Sequence, residues 1–179
     1  MIWLIRHGEA AAGWGDHPDP GLSAVGAKQA EAVAEILKGA GVQRVVSSPM
    51  QRCRETSAPL AAKLGLTPVI APQVSEIATP PGTADRVDWL RTVMAGTWTS
   101  AGPDYSQWRS RMSTFAHDLP DGAAVFSHFV AINALCGFLE QDDRVTMFRP
   151  GHCSITRLER RHGQLRVAEY GSEAATRVL

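Results

Sequence analysis

The marks of several protein classes are missing from this chain. No apolar run is long enough to span a bilayer, and the N-terminal one is too short for a secretory leader and meets Arg6 at once. The expectation is a cytoplasmic protein with no membrane partner. Neither sign of charge is in excess, since Lys and Arg total 18 and Asp and Glu total 18. Without a basic surplus there is no electrostatic footprint for nucleic acid, so any anion site has to be local. Cysteine is scarce: Cys53, Cys136 and Cys153 are odd in number and have no C-x-x-C spacing, which argues against a disulfide framework and against structural zinc. Repeats and low-complexity segments are absent too. What remains, 179 residues of which 44% are hydrophobic, suits one domain over 1–179 with a sizeable core.

What the chain does have, at its very start, is an apolar run that stops abruptly. Ile2-Trp3-Leu4-Ile5 reads as a strand covered on both faces, and Arg6-His7-Gly8 follow at its tip. Ligands of open α/β sheets bind beyond such tips. Arg6 offers a fork for an oxyanion, His7 a nucleophile or base, and Gly8 a close backbone approach. Residues 10–20, rich in Gly, Pro and Asp, read as a loop over that tip. Ser23 then suits an N-cap, with Leu22 as a staple, for a helix whose buried face is Ala30, Val33, Ala34 and Leu37 and which Gly39 and Gly41 close.

Arg44 to Ser47 reads as a second strand. Ser48, Pro49 and Gln51 form the pattern of an N-cap, a first-turn proline and a capping box, which places Arg52 and Arg54 beside a helix N-terminus that favours anions. A solvated helix arginine is the plain alternative for Arg52. Cys53 shares a face with Leu60 and Leu64 and is expected in the core, Pro59 should kink the helix and Gly65 should end it. Thr67 to Ala71 is a short third strand, followed by a loop with one conspicuous carboxylate, Glu76. Helical spacing over Asp85–Met94 and Tyr105–Leu119 flanks a loop at 96–103. Ala123 to Ser127 is a fourth buried strand, ending at His128 and running straight into a helix through Leu139. A hairpin turning at His162-Gly163 closes the pattern, and the last residues should fray.

Strands and helices alternate up to His128, which implies an α/β three-layer sandwich, a mostly parallel central sheet with helices on both faces. Strand tips then bring together His7, His128, Arg6 and Arg52, with Glu76 in a nearby loop. Such a set makes a phosphate site with a nucleophile, a charge clamp and an acid.

Four motifs carry a resemblance. Leu4-Ile5-Arg6-His7-Gly8-Glu9, Leu22-Ser23-x-x-Gly26-x-x-Gln29-Ala30, Ser47-Ser48-Pro49-x-x-Arg52-Cys53-x-Glu55-Thr56 and Ser127-His128 resemble, in order and over most of the chain, the histidine phosphatase (phosphoglycerate-mutase-like) superfamily. The resemblance implies a phosphoglycerate-mutase-like fold and a phosphomonoesterase that needs no metal or other cofactor. It implies His7 as the group that becomes phosphohistidine, and Arg6, Arg52 and His128 as holders of the phosphoryl oxygens. Glu76 would be the proton donor, with Asp85 and Asp88 as alternatives. The implied partner is a small phosphorylated molecule or a phosphorylated protein. Mutase-type transfer and silent phosphate-ligand binding are the other functions the resemblance leaves open; the oligomeric state is unknown. Three departures from the family pattern stand out: Gly13 where an asparagine is common in the loop, Phe129 where glycine usually follows the second histidine, and His152-Cys153 where an asparagine often precedes Ser154.

Overall fold

A computed structural model of the chain describes residues 1–13 and 17–174. Part of the expected loop over the first strand tip, and most of the tail expected to fray, lie outside the described residues. The strands are β1 (Ile2–Arg6), β2 (Arg44–Ser47), β3 (Val69–Ile70), β4 (Ala123–Ser127), β5 (Ile155–Arg161) and β6 (Gln164–Glu169). They form one sheet in the order β3-β2-β4-β1-β5-β6. The first four are parallel, and β5 and β6 join antiparallel as a hairpin on the far side of β1. His162 and Gly163 turn that hairpin with positive φ at both residues, a twist that suits a two-residue turn.

The helices are α1 (Ala24–Leu37), α2 (Gln51–Leu64), α3 (Arg86–Ala95), α4 (Trp98–Ala101), α5 (Pro103–Asp118) and α6 (Phe129–Leu139), and a single 3-10 turn covers Pro72–Val74. Alternation along the strands builds the layers. Trp3, Ile5, Val45 and Phe126 pack on one face against Val33 and Leu37 of α1 and Cys53 and Leu60 of α2. Ile2, Leu4, Val46 and Val125 pack on the other against Met112 and Ala116 of α5 and Ile132 and Leu135 of α6. Both faces of β1 and β4 are therefore dry, which is why those strands read as continuous apolar runs. A smaller cluster of Ile77, Leu90, Trp98, Phe129 and Val145 supports the loop and helices on one side of the strand tips.

Local expectations are met unevenly. Ser23 does cap α1, accepting from the Gly26 amide, and Gly65 ends α2 in the left-handed region. α1 stops one residue before Lys38, ahead of Gly39, and it is Gly41 that takes positive φ. The Ser48–Gln51 capping box does not form: Met50 is the boundary residue of α2, and the Gln51 amide donates instead to Asp19 Oδ1 at 2.9 Å. The span 96–103, expected as loop, contains α4, with a capping box between Thr97 and Ser100.

Candidate active site

The tips of β1, β2 and β4 meet because β2 pairs with β4 rather than with β1, and this crossover leaves a crevice at their C-terminal ends. There a cleft of about 500 Å³ is lined by Arg6, His7, Arg52, Glu76, Phe129 and His152 among others. Two glycines let the walls close. A side chain on Gly8 would meet the Gly26 carbonyl oxygen at 2.7 Å, and one on Gly26 would meet the Glu9 carbonyl oxygen at 2.0 Å, so α1 starts hard against the chain leaving β1. The Gly8 amide is held by Thr56 Oγ1 at 3.0 Å, tying that segment to α2.

His7 is buried, and its hydrogen bonds fix its tautomer. Nδ1 lies 2.7 Å from the Gly8 carbonyl oxygen, which can only accept, so Nδ1 carries the proton and Nε2 the lone pair. Arg52 Nε donates to that lone pair at 3.3 Å. Burial, and then the positive charges of Arg52 and Arg6, hold the His7 pKa well below the ordinary histidine range. A neutral imidazole with its lone pair on Nε2 is the nucleophilic form, once the Arg52 N–H turns from it to a ligand.

Arg6 and Arg52 are both buried, in contrast to Arg54, which is exposed. Burial lowers the Arg6 pKa to about 10, which leaves it charged at neutral pH. Its Nη1 donates to the Pro150 carbonyl at 2.9 Å, its Nη2 lies 3.0 Å from His152 Nε2, and its buried Nε has no hydrogen-bond partner among the described residues. The Phe129 ring, in place of the family's glycine, lies with its centroid 5.4 Å from the guanidinium carbon. Arg52 reaches Asp19 Oδ1 at 3.8 Å, and its Nη2 lies 3.2 Å from His128 Nδ1.

His128 sits beneath the cleft rather than on its surface. It is fully buried, with its ring centroid 5.2 Å from that of His7. An arginine can only donate, so His128 Nδ1 accepts and Nε2–H donates to Ser48 Oγ at 2.8 Å. Burial first, then His7 and the arginines, push its pKa well below the usual value. The Ser48 oxygen thus accepts from a histidine 80 residues away and from the Met50 amide at 3.3 Å, while the Gln51 side chain donates to Glu55, so neither half of the capping box forms. Cys53 is in the core as expected, and burial raises its thiol pKa far up.

Glu76 enters the cleft wall from the loop after the 3-10 turn. Its Oε1 accepts from the Ile77 and Ala131 amides, both at 3.0 Å, and its Oε2 from Val130 at 3.1 Å, so the carboxyl sits on the N-terminus of α6. Burial raises its pKa despite those amides. The two alternatives are occupied elsewhere: Asp85 caps α3 through the Val87 and Asp88 amides, and Asp88 is exposed and pairs with Arg91. Sequence reasoning missed Asp19, which bridges the loop, the start of α2 and Arg52, and missed the contact that His152 makes. Neither belongs to a helical or strand period that could have singled it out. Among the described residues no cluster of three or more His, Cys, Asp or Glu side chains is placed to hold a metal ion, and no helix is long and apolar enough to cross a membrane.

The chain is similar to known proteins in sequence and in fold. The uncharacterized protein Rv0525 of Mycobacterium tuberculosis is 35% identical over 130 residues, covering 64% of this chain and 63% of that protein. The probable phosphoglycerate mutase GpmB of Yersinia pestis (strain Pestoides F) is 28% identical over 131 residues, covering 70% of this chain and 56% of that protein. The match thus spans less than two thirds of either relative's length. In fold, the chain is similar to the mycobacterial glucosyl-3-phosphoglycerate phosphatase complexed with VO3, with a TM-score of 0.76, 22% identity, and coverage of 96% of this chain and 98% of that one. The fold is the phosphoglycerate-mutase-like three-layer sandwich. Residues 2–173 match the model of the histidine phosphatase superfamily (branch 1), and the chain belongs to that superfamily.

Proposed function

We propose that the protein is a phosphomonoester hydrolase that works through a phosphohistidine on His7 and needs no metal. The observation that carries this reading is the His7 ring itself: its proton is fixed on Nδ1 and its Nε2 lone pair faces the buried Arg52 in a cleft that also holds Arg6 and Glu76. In the first step Arg52 Nε turns from Nε2 to a phosphoryl oxygen, and the freed Nε2 lone pair forms a bond to phosphorus while the bond to the leaving oxygen breaks. Protonated Glu76 gives its proton to that oxygen. In the second step water attacks phosphorus, Glu76 takes its proton, and the electron pair of the P–N bond returns to Nε2. Arg6 and Arg52 stabilise the charge on the phosphoryl oxygens in both transition states. His128, with both ring nitrogens engaged, fixes Arg52 from below, and it reaches a phosphoryl oxygen only by releasing one of those contacts. The fold shared with a phosphatase supports this reading. The sequence match to a probable phosphoglycerate mutase keeps transfer as the second reading.

The test uses an aryl phosphate, whose good leaving group needs little protonation. Wild type should release phosphate steadily, and Glu76→Gln should accumulate acid-labile phosphohistidine on His7, seen by rapid quench and intact mass. His7→Ala should retain its fold by circular dichroism yet lose at least about a thousandfold in rate, as expected when a covalent catalyst is removed. Activity of His7→Ala above that level would remove His7 as nucleophile. Efficient transfer of label to 3-phosphoglycerate with little free phosphate would replace hydrolase by mutase.

A further inference from the structure

We infer that His152 is a positioning residue of the phosphate clamp, whose imidazole fixes the Arg6 guanidinium through Nε2. The inference rests on the proposed phosphate site. Arg6 carries five N–H groups in a rigid plane, and two fixed acceptors determine how that plane is turned. One is the Pro150 carbonyl at 2.9 Å from Nη1, and the other is His152 Nε2 at 3.0 Å from Nη2. Pro150 and His152 belong to the same short connection before β5, which crosses the tip of β1: Cys153 N donates to the Arg6 carbonyl at 3.0 Å. The connection therefore grips both the backbone and the side chain of Arg6.

Chemistry at His152 agrees with this assignment. An arginine can only donate, so Nε2 is the acceptor, and the neutral ring carries its proton on Nδ1. Desolvation, and Arg6 beside it, lower its pKa to about 4, so the acceptor is present at neutral pH. The ring lies on the exposed rim of the cleft, with its centroid 5.9 Å from that of His7. A residue on an open rim contributes little to the core, so its replacement should leave the fold standing. With two edges of Arg6 anchored, the remaining Nη hydrogens are held for a phosphoryl group without a search over rotamers.

The test separates the acceptor from the ring. His152→Phe keeps a planar ring with no acceptor, whereas His152→Gln can place its amide oxygen near the position of Nε2. Inorganic phosphate binding by calorimetry, and hydrolysis of p-nitrophenyl phosphate, are measured for each alongside wild type. His152→Phe should weaken phosphate binding and raise KM by about fivefold, the factor that one modest hydrogen bond provides, with a smaller change in kcat. His152→Gln should restore both to near wild type. Equal behaviour of the Phe and Gln variants would overturn the inference, and so would tighter phosphate binding by His152→Phe, which would mean that the imidazole competes with the ligand. If wild type neither binds phosphate nor hydrolyses the ester, the proposed function itself falls, and the inference with it. If wild type does both and His152→Phe matches it, the inference alone falls.

Discussion

At the scale of single residues, two neighbouring groups are held in opposite and complementary states. Burial and the arginines depress the His7 pKa, so His7 stays neutral far into acid, and the rate falls only where it finally takes a proton. Burial raises the Glu76 pKa, so its acid form persists to higher pH, and the rate falls as it loses that proton. The profile of kcat/KM should therefore be a bell whose acid limb lies well below the ordinary histidine range, and Glu76→Gln should remove the basic limb. A basic limb unchanged in that variant would place the acid elsewhere. Backbone amides offer an independent view of the same proton. Oε1 accepts two amides and Oε2 one, so protonation at Oε2 weakens fewer contacts. In a pH titration followed by NMR, the Val130 amide should move with Glu76 and more than that of Ala131; if both are flat across the range, the carboxyl does not titrate on the N-terminus of α6.

At the scale of elements, the decisive contact is the approach of α1 to the turn after β1. Gly26→Ala would drive a methyl carbon into the Glu9 backbone, which cannot step aside as a flexible side chain could. A loss of about 1–3 kcal/mol is expected from such overpacking, read from urea unfolding, and an unchanged midpoint would contradict the packing described here. Elements also explain what the sequence could show. β1, β4 and α6 were legible because burial on every side leaves an apolar signature, and Arg6, His7, Arg52 and Glu76 were legible because each lies at an element's end or in a marked loop. The Ser48 capping box was misread because the pattern is local, whereas the stronger claim on that hydroxyl comes from His128, far along the chain. α4 is a single turn and falls below any window in which a helical period can be counted. His152 stands out in the sequence only as a departure from the family pattern, and its contact gives no signal because its partner, Arg6, is brought to it only by the pairing of β5 with β1.

At the scale of the whole molecule, ligand binding and stability should be linked. The proposed phosphate ligands come from β1 and α2, with α6 behind them, so an anion bound only by the folded chain would bridge separate elements. Inorganic phosphate at about a hundredfold excess over its Kd should stabilise by about 2.7 kcal/mol, or roughly 5–10 °C in Tm for a chain of this size. No shift at saturating phosphate would mean that the cleft does not bind the anion. The sheet order has a consequence for how the protein is made. β1 lies between β4 and β5, so its partners are Ala123–Ser127 and Ile155–Arg161, more than a hundred residues downstream. On the ribosome its apolar run emerges before either partner strand and must wait, unpaired, until β4 has been synthesised. Contacts of such long range close slowly. The segment that carries His7 is thus open to a chaperone before its partner strands exist, and the cleft can be completed only after translation has passed β5.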